Sequence, residues 1–190
     1  MTRLDRRGLL RASFALSGGV LATPTAVALA GAAPARATAP AVEKRLAFRS
    51  IHTNEKVDAR FFGPAGFDPD GLAEIDHGLR DWRTNDVKAM DPRLVMLLAD
   101  LRDALEVDPR RPFDIISGYR SPVTNARLRA RSGGVATKSQ HMLGKATDLA
   151  LPGVPLDRVR AAALALGRGG VGFYPSSGFI HVDTGRVRQW

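Results

Sequence analysis

The chain has 190 residues, with 28 Lys or Arg against 19 Asp or Glu, a net charge of +9, four His and no Cys. That length suits one domain, whose core must hold without disulfides. The basic balance shows no long Lys/Arg run interleaved with aromatics, which argues against nucleic acid as a partner and favours approach to an anionic polymer.

The first segment reads as an address. Arg6-Arg7 followed by Gly8-Leu9-Leu10, an apolar stretch from about Ala12 to Ala30 and the small-residue exit Ala35-Arg36-Ala37 make a twin-arginine signal peptide over residues 1–37. Ser13, Ser17, Gly18, Gly19 and Thr23 leave the stretch too weakly apolar for a good anchor, so no stable membrane span is expected after cleavage. The expected destination is the periplasm. Five arginines and one aspartate lie in this segment, which leaves residues 38–190 with a net charge of +5. Residues 38–45 form an Ala/Pro tether, and a folded domain is expected over 46–190.

Within that domain, Leu46 to Phe62 predicts a β-hairpin turning at Thr53-Asn54-Glu55-Lys56. Leu72, Ile75, Leu79 and Trp82 recur at helical spacing. Asp91-Pro92 opens a second helix, as N-cap and first residue, with Leu94, Val95, Leu97, Leu98, Leu101 and Leu105 on its core face. Phe113–Ser117 is a short strand, and Ser121-Pro122 starts a third helix running to about Arg131. Asp148–Leu151 is a strand, Pro155–Leu166 a fourth helix ended by Gly167, and two strands at about 170–174 and 179–184 flank a Pro-Ser-Ser-Gly turn. The sum is an α+β domain with a small, mostly antiparallel sheet and helices packed on it.

The stretch SQHMLGKATD carries His141 and Asp148. In a continuous helix they would stand roughly 10 Å apart along the axis, too far for one ion. Gly144 lets the chain reverse, so a loop, turn and strand can bring the two side chains together. In GFIHVDTG, strand alternation puts His181 and Asp183 on the face opposite Ile180 and Val182. Two His, one Asp and an open fourth position suit a catalytic zinc, whereas a structural site would more often draw on Cys.

The pattern SxHxxGxAxD, matched by Ser139, His141, Gly144, Ala146 and Asp148 and followed by His181, resembles the zinc signature of the M15-type peptidases of LAS fold (lysostaphin, D-Ala-D-Ala peptidase, hedgehog). The run from SGYRSP (117–122) through GGVGFYPSSGFIHVDTG looks like the DUF882 group, which includes murein endopeptidase K, and the likeness extends from about Leu46 to Trp190. The resemblance implies a zinc-dependent peptidase acting on peptidoglycan stem-peptide cross-links, 3-3 diaminopimelate links among them; the chain is expected to be a monomer. It implies His141, Asp148 and His181 as ligands and Arg120 as the group that steadies charge on the scissile carbonyl.

Dipeptidases and endolysins of the M15 type place a Glu three residues before the last His, where this chain has Gly178. Asp183 is then the nearest carboxylate for the general base, or else an orienting partner of the ligands. Ser139 and Tyr119 are read as substrate-binding, against plainer roles in bracing the loop and packing. His77 is read as structural, His52 as structural although near enough to a hairpin end to reach a cleft, and Trp190 as either a cleft rim or a core closure. Gly178 also lends weight to a second class of function, a non-catalytic peptidoglycan-binding module of the same fold. A zinc amidase is a third.

Overall fold

The computed structural model describes residues 42–190; the signal peptide expected over 1–37 and the first part of the tether lie outside the described residues. Strand β1 (Lys44–Ser50) starts inside the expected tether and pairs antiparallel with β2 (Lys56–Gly63). Asn54, at φ 58°, occupies the left-handed region in the turn between them, a conformation that Asn tolerates better than most residues. A two-residue strand β3 (Gly66–Phe67) follows; so short a piece leaves no periodicity in the sequence.

Helix α1 (Pro69–Gly78) is capped by the Asp68 carboxylate, which accepts from the N–H groups of Asp70 and Gly71. It ends at Gly78, a turn before the apolar spacing does. Asp81 accepts from the Arg83 N–H at 3.1 Å, an Asx turn that competes with another turn of helix, and Trp82 leaves the helical face to stack on His52 at 4.4 Å. Helix α2 (Pro92–Ala104) begins as expected, with the Asp91 carboxylate accepting from the Arg93 N–H. The remaining elements are β4 (Phe113–Ser117), α3 (Pro122–Arg131), a 3-10 helix (Gln140–Leu143), β5 (Ala146–Ala150), α4 (Leu156–Leu166), β6 (Gly170–Tyr174), a second 3-10 helix (Pro175–Ser177), β7 (Phe179–Asp183) and β8 (Arg188–Gln189).

Among the described residues, eight strands form one sheet in the order β3-β2-β1-β4-β5-β7-β6-β8. Pairing is antiparallel except for β1 with β4 and β6 with β8. The β1–β4 pair is parallel because α1 and α2 lie between them in the chain, long enough for a crossover. Helix α1 packs on β2, α2 on β1, and α4 on β6, β7 and α2. Leu94, Leu98 and Leu101 of α2 meet the same core as Phe48, Phe61, Phe113, Leu149 and Ile180, all at most 1% exposed. Each such side chain is worth about 1.5–3 kcal/mol of burial.

That core sets the site. Leu149 pairs with Ile180 across β5 and β7 and both face the core, so the next pair, Asp148 with His181, must face away from it. Directly opposed residues of an antiparallel pair carry their side chains side by side on one face. A slip of one residue would bury the polar pair and expose the apolar one, so the core itself enforces the register.

Candidate metal centre and cleft

His141 reaches the same face from outside the sheet. Ser139 caps the 3-10 helix by accepting from the His141 N–H at 3.3 Å, and Gly144 ends it at φ 68°. A side chain at position 144 would be strained at that φ, and its Cβ would stand 2.6 Å from the Ala89 carbonyl oxygen. The Gly144 carbonyl also accepts from the Asp91 N–H at 2.8 Å, which ties the turn to the start of α2.

Three atoms converge. His141 Nε2 lies 3.2 Å from His181 Nδ1 and 3.3 Å from Asp148 Oδ1, and His181 Nδ1 lies 2.8 Å from Asp148 Oδ1. Their outer partners settle the tautomers. His141 Nδ1 is 2.7 Å from the Gly118 carbonyl oxygen, to which it donates, leaving a lone pair on Nε2. His181 Nε2 donates to Asp183 Oδ2 at 3.1 Å, leaving a lone pair on Nδ1. Two imidazole lone pairs and a carboxylate oxygen therefore face one another, all three residues being at most 8% exposed. Acceptors gathered like this need a positive centre between them. A tetrahedral ion with bonds of about 2.0–2.1 Å holds its ligand atoms roughly 3.3 Å apart, close to the spacing of this trio. His141, Asp148 and His181 can thus hold a metal ion.

The electrostatics agree. Burial raises the Asp148 carboxyl, but His141 and His181 outweigh it and hold the group well below the usual carboxylate range. Burial lowers the His181 imidazole, while Asp148 and Asp183 raise it above its ordinary value. The field at the cluster is one in which a cation settles.

Asp183 lies behind this trio. Strand alternation places it beside His181, as expected, but on a fully buried site and not on an open surface, because Gly170, Gly185 and Arg188 close over it. Its Oδ1 accepts from the Gly170 N–H, the Gly185 N–H and Arg188 Nη1, at 3.1, 2.8 and 3.1 Å. Its Oδ2 accepts from His181 Nε2 and, at 2.6 Å, from Arg188 Nη2. Burial raises the Asp183 carboxyl, and these partners more than offset it, so the group is held well below the usual range. Gly178 closes the turn between β6 and β7 at φ 74°, a left-handed conformation that a residue with a side chain rarely adopts.

A cleft of about 540 Å³ opens over the cluster, lined among others by Arg120, Lys138, Tyr174, Phe179 and Trp190. Arg120 precedes α3, where the buried Asp81 carboxylate takes the Ser121 N–H at 2.9 Å. Its Nη2 stands 3.3 Å from Ser117 Oγ and 3.4 Å from Asp148 Oδ2, and its buried Nε has no partner among the described residues. Ser139 lines the cleft as well as capping the loop. Tyr119 is not brought to the cleft: it packs half-buried against the core. His52 lies against Trp82, and the His77 carbonyl accepts from Arg80; neither lines the cleft. Tyr174 and Arg188 escaped the sequence reading. Phe179 shares the face of His181 by alternation and was within its reach, and Tyr174 is its register partner. Arg188 had no such signal, since only the chain's return beside β6 brings it to Asp183.

A family model described as "Peptidoglycan L,D-endopeptidase MepK" matches residues 38–190. The chain is 41% identical over 187 residues to the Peptidoglycan L,D-endopeptidase MepK of Escherichia coli strain K12, an overlap of 98% of this chain and 97% of that protein. It is 46% identical over 145 residues to the Probable peptidoglycan L,D-endopeptidase MepK of Haemophilus influenzae, covering 76% and 77% of the two chains.

Proposed function

This chain belongs to the MepK family of peptidoglycan L,D-endopeptidases, M15-type peptidases of LAS fold, and from that premise we propose a zinc-dependent hydrolase of peptidoglycan cross-links whose metal is held by His141, Asp148 and His181. The observation that carries the zinc is the convergence of two imidazole lone pairs and one carboxylate oxygen, with each imidazole oriented from behind by a second group. Zinc bound there supplies Lewis-acid chemistry, polarising a scissile carbonyl and acidifying water.

The protein's own groups do the rest. His141 and His181 are held as ligands by the Gly118 carbonyl and by Asp183. Arg120 presents a guanidinium at the cleft, where it steadies negative charge developing on the carbonyl oxygen. Ser139 keeps the His141 turn in shape. Of the two roles open to Asp183, orienting His181 accords with its burial and its five hydrogen bonds; the general-base role would need a carboxylate free to face the cleft. The bond cut is an L,D bond, such as a 3-3 link between diaminopimelates. Residues 1–37 carry the protein by the twin-arginine route to the periplasm, where that substrate lies.

The test is digestion of purified cross-linked muropeptides, read by mass spectrometry. Products should appear, cease with a chelator and return with zinc. His141→Ala should lose both metal and products. Products that persist through chelation, or full metal content in the variant, would refute the zinc assignment.

A further inference from the structure

Tyr174 sits in the cleft with a hydroxyl whose hydrogen has no acceptor among the described residues. Its ring stacks on Phe179, with centroids 4.8 Å apart and planes at 25°, and the two are register partners across β6 and β7. Its oxygen accepts a 2.7 Å hydrogen bond from Trp190 Nε1. An indole N–H only donates, so it occupies a lone pair of the phenol and turns the phenol's own hydrogen elsewhere. Trp190 is itself held on both sides of its backbone: its N–H donates to the Val171 carbonyl at 3.2 Å, and its carbonyl accepts from the Phe173 N–H at 3.0 Å. The indole ring lies 5.3 Å from the ring of His181. A hydroxyl with one lone pair taken by the indole thus lines the cleft that holds the three ligand atoms, and Arg120 lines that cleft too.

We propose that Tyr174 donates its hydroxyl hydrogen to the carbonyl oxygen of the scissile amide, sharing that oxygen with Arg120, and that Trp190 is the positioning residue that aims it. The proposal rests on the endopeptidase reading above. Tyr174 keeps its proton throughout; the hydrogen bond strengthens as negative charge builds on the oxygen, so its effect falls on the transition state and not on the bound substrate. No side chain other than a hydroxyl on an aromatic ring would serve both contacts, since the ring stacks on Phe179 while the oxygen serves the indole and the substrate.

The experiment is steady-state hydrolysis of a cross-linked muropeptide by the wild-type chain, Tyr174→Phe, Trp190→Phe and the double variant, with metal content measured on each. Tyr174→Phe keeps the stacked ring and should lower kcat by roughly 10²–10³-fold, the worth of one oxyanion donor, with KM and metal content near wild type. Trp190→Phe should lower kcat by roughly 3–10-fold, as for one neutral hydrogen bond. The double variant should match Tyr174→Phe alone, because an aim is worthless without the hydroxyl. Wild-type kcat in Tyr174→Phe, or a loss confined to KM, overturns the donor role. Additive losses in the double variant overturn the positioning role of Trp190. Should Tyr174→Phe lose its metal, Trp190→Phe carries the test: a fall in kcat with metal retained supports the proposal, and wild-type kcat overturns it. A wild-type chain that binds metal and yields no products removes the endopeptidase reading, and this proposal with it.

Discussion

At the residue scale, Asp183 separates two mechanisms that look alike in sequence. Its Oδ2 faces His181 Nε2 and Arg188 Nη2, both donors. In Asp183→Asn the amide nitrogen placed there would meet two N–H groups. To keep a hydrogen bond, His181 would have to accept at Nε2 and carry its proton on Nδ1, the nitrogen that faces Asp148 and His141. The lone pair offered to a metal would be lost. We therefore expect Asp183→Asn to weaken metal affinity by roughly 10–100-fold, with activity falling in step and recovering at high zinc. Metal titration against a competing chelator reads this directly. Full metal affinity with turnover down by roughly 10²–10⁴-fold would instead make Asp183 the general base. The alternation of FIHVD made the proximity of Asp183 and His181 legible. Which atom of the ring the carboxylate touches was not, because that depends on Gly170, Gly185 and Arg188 closing over it from other parts of the chain.

At the element scale, α2 is the strut that joins the site to the core. Asp91 caps it, donates its backbone N–H to the Gly144 carbonyl, and accepts from the Thr184 hydroxyl at 2.9 Å just past β7. One residue thus links the His141 turn, the helix and the strand of His181. Burial raises its carboxyl, but the Arg93 side chain, the Arg93 N–H and Thr184 together bring the pKa down to about 2 from an ordinary 3.8. The sign follows from the depressed value. The ionised group stabilises the fold above its unfolded pKa, and that contribution disappears as pH falls from near 4 towards 2. Asp91→Asn keeps the cap, since Asn is as good an N-cap as Asp, but cannot ionise. In chelator-treated samples, the gap in melting temperature between wild type and Asp91→Asn should narrow as pH drops through that window. A gap that stays constant from pH 5 to pH 2 would show that the Asp91 charge contributes nothing. The cap and the helix it opens were both readable from Asp91-Pro92. The early end of α1 was not, since it depends on the Asp81 carboxylate capturing the N–H of Arg83 and, from 40 residues away, that of Ser121.

At the scale of the whole molecule, the described residues contain no helix long and apolar enough to cross a membrane. Residues 38–190 carry a net charge of +5. Such a balance favours approach to an anionic polymer and is screened by salt. The export proposal turns on the arginine pair. Replacing Arg6 and Arg7 together by Lys keeps the charge but not the recognised pair, and should leave precursor in the cytoplasm, as fractionation and immunoblotting would reveal. Normal export of that variant would sink the twin-arginine route while leaving the peptidase assignment untouched.

The chain's own order determined the hairpin, the four helices, the two closing strands and the polar alternation of FIHVD, because those follow from periodicity, caps and turns that operate over a few residues. The pairing of SQHMLGKATD with FIHVD as the two halves of one site came from a recurring motif and not from spacing. Tertiary structure decided what depends on the distance between remote segments. It paired Asp148 with His181 through the Leu149–Ile180 core register and buried Asp183 beneath Arg188. It also withdrew Tyr119 to the core and set Tyr174 in the cleft under the indole of Trp190. A side chain's chemistry is local, but its neighbours across a sheet are chosen by how the apolar faces pack, and no window of sequence contains both sides of that contact.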